Sequence, residues 1–254
     1  MNIAHDQTES FLLTNNLTSK RPKRVVIIPA YNEECSIGLV LGGIPRDWVE
    51  EIIVVDNGSS DATAHVAETN GARVVSESRR GYGSACMAGI SQLPEGTEFV
   101  IFMDGDYSDY PDEIQKLVNA QSQFQADLVV GSRTLGRREP GSLTVQQRFG
   151  NWLSTWLIER LYGHSYTDLG PFRLIRTEAL ERLKMQDHSF GWTVEMQVKA
   201  LQQGLKVIEV PVNYRKRIGK SKVSGTLWGS VRAGLKILWV IGRLAFHNPV
   251  DREH

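Results

Sequence analysis

Phe99-Val-Ile-Phe-Met-Asp-Gly-Asp-Tyr-Ser108 is an apolar run that stops abruptly at two carboxylates one residue apart. A strand buried on both faces reads this way, and it would deliver Asp104 and Asp106 to its C-terminal end. In an open α/β sheet that end faces the ligand crevice, where two hard oxygen donors suit a divalent cation carrying a phosphorylated substrate. The plainer reading of an Asp-x-Asp after a strand is a solvated turn, so the rest of the chain has to decide.

Outward from this stretch the same grammar repeats. Val25-Val-Ile-Ile28 is a β-branched run closed by Pro29, and Ile52-Ile-Val-Val55 ends in Asp56. Asn57-Gly58-Ser59-Ser60 then turns into a helix capped by Ser60 or Asp61 and closed by Gly71, and a short strand follows at 72–75. The fourth strand spans 99–103, Pro111 opens the next helix, and 127–130 is a fifth strand before Gly131-Ser-Arg133. Strand, turn, helix, strand is the unit of a parallel sheet, so the fold class is α/β with a mostly parallel central sheet.

The second half changes character. Residues 147–162 read as a helix with Trp152, Leu153, Trp156, Leu157 and Leu161 at helical spacing, a stripe expected to pack in the core. Strands are expected at 172–175 and 206–212, and helices from Glu178 onward and over 190–203, with Gly204 as a stop. Arg215-Lys-Arg-Ile-Gly-Lys-Ser-Lys222 carries five cations in eight residues. From Leu227 to Phe246 the chain is strongly apolar, yet Arg232, Lys236 and Arg243 fall within about 40° on a helical wheel, which describes an amphipathic helix.

Composition narrows the classes. A 41% hydrophobic content over 254 residues is ample for a core, and 29 basic against 29 acidic residues argues against wholesale nucleic-acid binding. Cys35 and Cys86 have no metal-like spacing and read as free thiols of a reducing compartment. Residues 1–21 are polar and lack the order of a signal peptide, and no uncharged apolar run reaches about 18 residues, so neither secretion by that route nor a membrane span is expected.

Six segments taken together resemble the family 2 glycosyltransferases, in order and spacing: Pro29-Ala-Tyr-Asn-Glu-Glu34, Val54-Val-Asp-Asn-Gly-Ser-Ser-Asp-Ala-Thr63, Arg80-Gly-Tyr-Gly-Ser-Ala85, Asp104-Gly-Asp106, Gly131-Ser-Arg133 and Gly219-Lys-Ser-Lys222. The likeness runs from about Val25 to Gly225 and is strongest to the dolichyl- and polyprenyl-phosphate sugar synthases. It implies a GT-A nucleotide-binding fold over residues 23–225, preceded by a polar tail at 1–22. A membrane-associating or packing helix and tail would follow at 226–254.

The resemblance also implies roles. Pro29, Tyr31, Glu33 and Asp56 would form the nucleobase and ribose pocket, whereas Glu34 reads as an ordinary first-turn acid favoured by the helix dipole. Asn57 replaces the second Asp commonly found in that motif. Arg80, Gly81 and Arg133 would border the nucleotide sugar, with Gly81 and Gly83 letting a helix N-terminus approach a phosphate, or simply forming a turn. Asp104 and Asp106 would hold magnesium or manganese, with Ser108 as a third ligand or its water partner. Arg217, Lys220 and Lys222 would close over the diphosphate from a mobile loop, with a solvated basic turn as the alternative.

Thr167-Asp-Leu-Gly-Pro-Phe-Arg173 resembles the segment bordering sugar and acceptor, one residue shorter than in the dolichyl branch. Asp168 or Glu195 would act as general base on a hydroxyl acceptor; a phosphate acceptor arrives ionised and needs none. The expected activity is inverting transfer from a nucleotide-diphosphate sugar to a polyprenyl phosphate at the cytoplasmic face of a membrane. A soluble or glycolipid hydroxyl is the competing acceptor. A pyrophosphorylase would need a glycine-rich loop near the first strand that the chain lacks, and a catalytically silent nucleotide-sugar-binding protein would not need Asp104 and Asp106.

Overall fold

The computed structural model describes residues 21–219 and 227–247. Seven strands form one sheet: β1 (Arg24–Ala30), β2 (Glu51–Asp56), β3 (Arg73–Ser76), β4 (Phe99–Phe102), β5 (Leu128–Ser132), β6 (Arg173–Arg176) and β7 (Val207–Pro211). Their spatial order is β3-β2-β1-β4-β6-β5-β7. The pairs β1/β2, β1/β4, β2/β3 and β5/β7 are parallel, while β6 lies antiparallel between β4 and β5. A mostly parallel sheet is therefore found, with one reversed strand.

Both faces of the sheet are covered, which is why its central strands read as unbroken apolar runs. Alternate residues of β1 point to opposite sides: Val26 and Ile28 join Leu41, Ile52, Ile101 and Leu117 on one face, and Val25 and Ile27 join Ile53, Phe102, Trp192 and Met196 on the other. The first face is covered by α1 (Ile37–Gly43) and α4 (Ile114–Phe124), and α2 (Thr63–Thr69) also lies there. The second face carries α3 (Tyr82–Ile90), α6 (Thr177–Leu183) and α7 (Trp192–Gln202).

A third, smaller cluster unites α5 (Val145–Tyr162) and α7 with α8 (Leu227–His247) through Ile158, Val194, Val198, Val240 and Ile241. The apolar helix at the end of the chain thus packs on the protein along one side. Among the described residues no helix is long and apolar enough to cross a membrane.

Local differences from the sequence reading have local causes. α2 starts at Thr63 because Asp61 accepts from the Thr63 amide at 3.0 Å and so closes the turn before the helix. Pro111 opens a 3-10 turn, Pro111–Glu113, and α4 follows it. α5 starts at Val145 under a capping box between Thr144 and Gln147. The largest correction concerns the tryptophans. Trp152 and Trp156 are exposed, and it is Ser154, Thr155 and Ile158 that α5 buries.

Candidate active site

Parallel strands β2, β1 and β4 end on the same side, so Ala30 stands beside Asp56 in register and Asp104 and Asp106 follow just beyond β4. A cavity of about 440 Å³ opens there. Pro29, Tyr31 and Glu33 line it from the β1 end, Arg80 and Gly81 from the loop before α3, Asp104 and Asp106 from the segment after β4, and Arg217 from the basic segment. The fold thus brings eight of the expected site residues to one space. Tyr82 and Phe190, which sequence reasoning did not single out, line it too.

The loop carrying the two carboxylates is fixed from several sides. Asp106 is buried, and its Oδ1 accepts from both the amide (2.9 Å) and the hydroxyl of Ser108. Ser108 therefore positions Asp106 instead of entering the cavity lining. The other oxygen of Asp106 forms an ion pair with Arg217. Ile218 donates its amide to the Asp106 carbonyl at 3.0 Å and Arg215 donates its amide to that of Ser108, so the basic segment is stitched to the acidic loop. Arg215 adds two bonds, to the Tyr107 and Asp109 carbonyls, and its guanidinium lies 3.3 Å from the Tyr107 ring centroid. Lys220 and Lys222 lie outside the described residues.

Burial pushes the Asp104 carboxyl up, and the nearby charges of Arg217 and Arg133 pull it back. Asp109, which the sequence reading did not single out, is buried with neither side-chain oxygen hydrogen-bonded. Burial, reinforced by Asp104, pushes its carboxyl up to about 7 despite the opposing charge of Arg133. The only signal in the sequence was a third acid, five residues after the first.

Asn57 explains its own departure from the usual Asp. Its amide nitrogen donates to the Glu77 and Arg79 carbonyls at 3.0 and 2.8 Å, and its oxygen accepts from the Gly81 amide at 2.8 Å. A carboxylate could make only the last of these bonds. Arg80 donates to the Asn57 carbonyl and stacks its guanidinium 4.0 Å from the centroid of Tyr31, which forms one wall of the cavity. Asp56, next to Asn57 but outside the lining, accepts from the Ser59 amide at 3.0 Å. Glu34 precedes α1 and instead accepts from the Ala62 amide at the start of α2, the same dipole logic applied to a different helix.

The glycines of the Arg80-Gly-Tyr-Gly segment are required by the protein's own backbone. A Cβ at Gly81 would approach the His188 carbonyl oxygen to 2.0 Å, and one at Gly83 the Asp187 carbonyl oxygen to 1.9 Å. Gly81 also has φ = 142°, which side-chain-bearing residues rarely adopt. The 187–191 loop is thereby seated against α3, which brings Phe190 to the cavity.

The two carboxylates expected as bases are both engaged. Asp168 is buried and accepts three bonds from Arg133, from its amide (2.8 Å), Nε (2.7 Å) and a terminal nitrogen (2.7 Å). Burial alone would lower the Arg133 pKa; the charge of Asp168 holds it well above the ordinary value instead. The segment is held from below by Glu209 of β7, which accepts from the amides of Thr167 and Asp168. Glu195 accepts from the Gln186 and Asp187 amides and pairs with Lys199 at 2.7 Å; it ties down the start of the 185–191 loop and itself lies outside the cavity lining.

A sheet of this order, with an acidic pair at its central crevice and a basic segment tied over it, describes a nucleotide-binding transferase of the GT-A type. Residues 25–184 match the model of "Glycosyl transferase family 2". An uncharacterized glycosyltransferase of Mycobacterium tuberculosis is 40% identical over 219 residues, covering 85% of this chain and 96% of the relative. The undecaprenyl-phosphate mannosyltransferase of Micrococcus luteus is 30% identical over 234 residues, covering 85% and 95%. Among solved structures, the glucosyl-3-phosphoglycerate synthase of M. tuberculosis in complex with Mn2+, UDP and glucosyl-3-phosphoglycerate superposes with a TM-score of 0.72 at 21% identity, covering 90% of this chain and 81% of that one. The chain belongs to glycosyl transferase family 2 and is a glycosyltransferase.

Proposed function

We propose that the protein transfers a sugar, with inversion, from a nucleotide-diphosphate sugar to a polyprenyl phosphate at a membrane surface. The observation that carries the acceptor is the engagement of Asp168 and Glu195. A hydroxyl acceptor must lose its proton to a base, yet one carboxylate is saturated by Arg133 and the other by loop amides and Lys199. Asp109 is unengaged but lies outside the cavity lining. A phosphate monoester needs only to be positioned beside cations. The polyprenyl-phosphate activity named for the M. luteus relative supports the same reading.

In this scheme an oxygen of the acceptor phosphate attacks the anomeric carbon, the bond to the donor's β-phosphate breaks, and the electron pair leaves with the nucleoside diphosphate. Tyr31, with Arg80 stacked on it, and Glu33 form the walls for base and ribose, while Asp56 holds the turn behind them. Arg217 faces the diphosphate, and Arg133 orients the acceptor segment.

The donor set also fits a divalent cation, with the Asp106 oxygen that pairs with Arg217 becoming a ligand as Arg217 turns to the diphosphate. Among the described residues no group of three acidic, histidine or cysteine side chains converges, so the protein would supply Asp104 and Asp106 and leave the remaining positions to phosphate and water. That is the usual manner of binding Mg2+ beside a nucleotide. Such a cation supplies Lewis-acid stabilisation of the charge growing on the leaving diphosphate.

The test is a panel of UDP- and GDP-sugars with Mg2+ or Mn2+, offered together with a polyprenyl phosphate, the matching polyprenol and 3-phosphoglycerate. Product mass should show one added hexose on the polyprenyl phosphate, lost in chelator. Transfer confined to polyprenol or 3-phosphoglycerate would replace the acceptor, and full activity in chelator would remove the cation.

A further inference from the structure

Helix α5 packs Ile158 inward against α7 and α8, yet it also leaves large apolar side chains on its outside. Its inward side carries Ser154 and Thr155, together with Asn151, whose amide donates to the Thr167 carbonyl and accepts from the Leu169 amide. Its outward side carries Val145, Phe149, Trp152 and Trp156, which are between 44% and 76% exposed. Their spacing places all four within roughly 60° of one another at about 100° per residue. α8, packed against α5, adds Leu235 (63% exposed) and Trp239 (54%). Exposed apolar residues are ordinary one at a time; a continuous aromatic stripe marks a surface made to be covered.

The charges around the stripe identify what covers it. Among the described side chains, α5 and α8 carry four cations, Arg148, Arg160, Lys236 and Arg243, against a single acid, Glu159. Three of them stand over the exposed tryptophans: Arg160 at 5.8 Å from the Trp156 ring, and Lys236 and Arg243 at 4.6 and 5.5 Å from that of Trp239. Indole rings with basic side chains beside them match the boundary between acyl chains and anionic headgroups. Lys236 is also paired with Asp187 at 2.8 Å, so α8 is anchored to the 187–191 loop that borders the cavity.

We infer that the outer face of α5, with Leu235 and Trp239 of α8, is a docking surface for an anionic bilayer. The inference deepens the lipid-acceptor reading and rests on it for the choice of occupant. It also gives α5 a connecting role: its outer face meets the lipid, and its inner face holds the segment that carries Asp168.

The test uses the full chain and vesicles of phosphatidylglycerol and phosphatidylcholine without acceptor. Wild type should float with the vesicles, and Trp152→Ser/Trp156→Ser should lower the bound fraction at least about tenfold, as loss of two interfacial anchors predicts. Nucleotide binding by calorimetry should be unchanged, which shows that the variant is folded. Transfer to a short, water-soluble prenyl phosphate should also be unchanged, because neither tryptophan lines the cavity. Equal flotation of variant and wild type, or no flotation of wild type, overturns the proposal. So does a wild-type dimer that the substitutions convert to monomer, since the face would then cover a second copy. Vesicle binding that depends on the tryptophans, without transfer to any prenyl phosphate, supports the surface and overturns the acceptor reading alone.

Discussion

Replacing Asp168 by Asn tests whether this carboxylate is a structural counter-ion or a free base. The amide keeps one acceptor oxygen but turns an NH2 toward the Arg133 fork, and the buried guanidinium loses its counter-charge. Removing one member of a buried pair typically costs about 3–5 kcal/mol, against about 0–1 kcal/mol for an exposed one. Asp109 lies close enough to share the Arg133 charge, which favours the lower half of that range. For a chain of this size about 3 kcal/mol corresponds to a fall in Tm of roughly 6–12 °C. Thermal unfolding followed by circular dichroism gives the value. The double variant Asp168→Asn/Arg133→Gln should be more stable than Asp168→Asn alone, because the uncompensated charge has gone. A loss within about 1 kcal/mol for Asp168→Asn would refute the reasoning and return Asp168 to the list of bases.

Three further outcomes are expected. Asp106→Asn removes the partner of Arg217 and one proposed cation ligand, and should slow transfer about 30-fold or more, near 2 kcal/mol, in single-turnover assays. Asn57→Asp strips the Glu77 and Arg79 carbonyls of their donors and should destabilise by about 2 kcal/mol while weakening UDP or GDP binding, measured by calorimetry. Asp109→Asn tests the pH dependence of stability. A carboxyl held at about 7 instead of 3.8 keeps its proton longer in the folded state, so its contribution is complete below pH 3.8 and is lost as pH rises through about 7. The variant should gain on wild type between those limits, by at most on the order of 4 kcal/mol at pH 8, and denaturant titrations at pH 4 and pH 8 would show it.

Strand identity was legible because strands buried on both faces leave unbroken β-branched runs, and the position of Asp104 and Asp106 followed from where such a run stops. The reversed direction of β6 was not, since Arg173-Leu-Ile-Arg176 has the same pattern in either orientation. Nor was the exposure of Trp152 and Trp156. A helical period reports that a stripe exists without saying which side faces the core, and the clue lay opposite, in Asn151, Ser154 and Thr155. Glu195 and Asn57 stayed opaque for another reason: their partners are backbone groups 8 to 24 residues away, whose approach only the folded loops create. Glu209, 41 residues beyond the Asp168 amide that it accepts from, belongs with them.

The most direct measurement offers the enzyme a polyprenyl monophosphate and the polyprenol of the same chain length, with the same nucleotide sugar and cation, and follows product by mass. Transfer to the monophosphate, with none to the alcohol, is the result that a site without a free base on its acceptor segment predicts. Transfer to the alcohol at a comparable rate would contradict it, because some carboxylate would then have to be taking the hydroxyl proton.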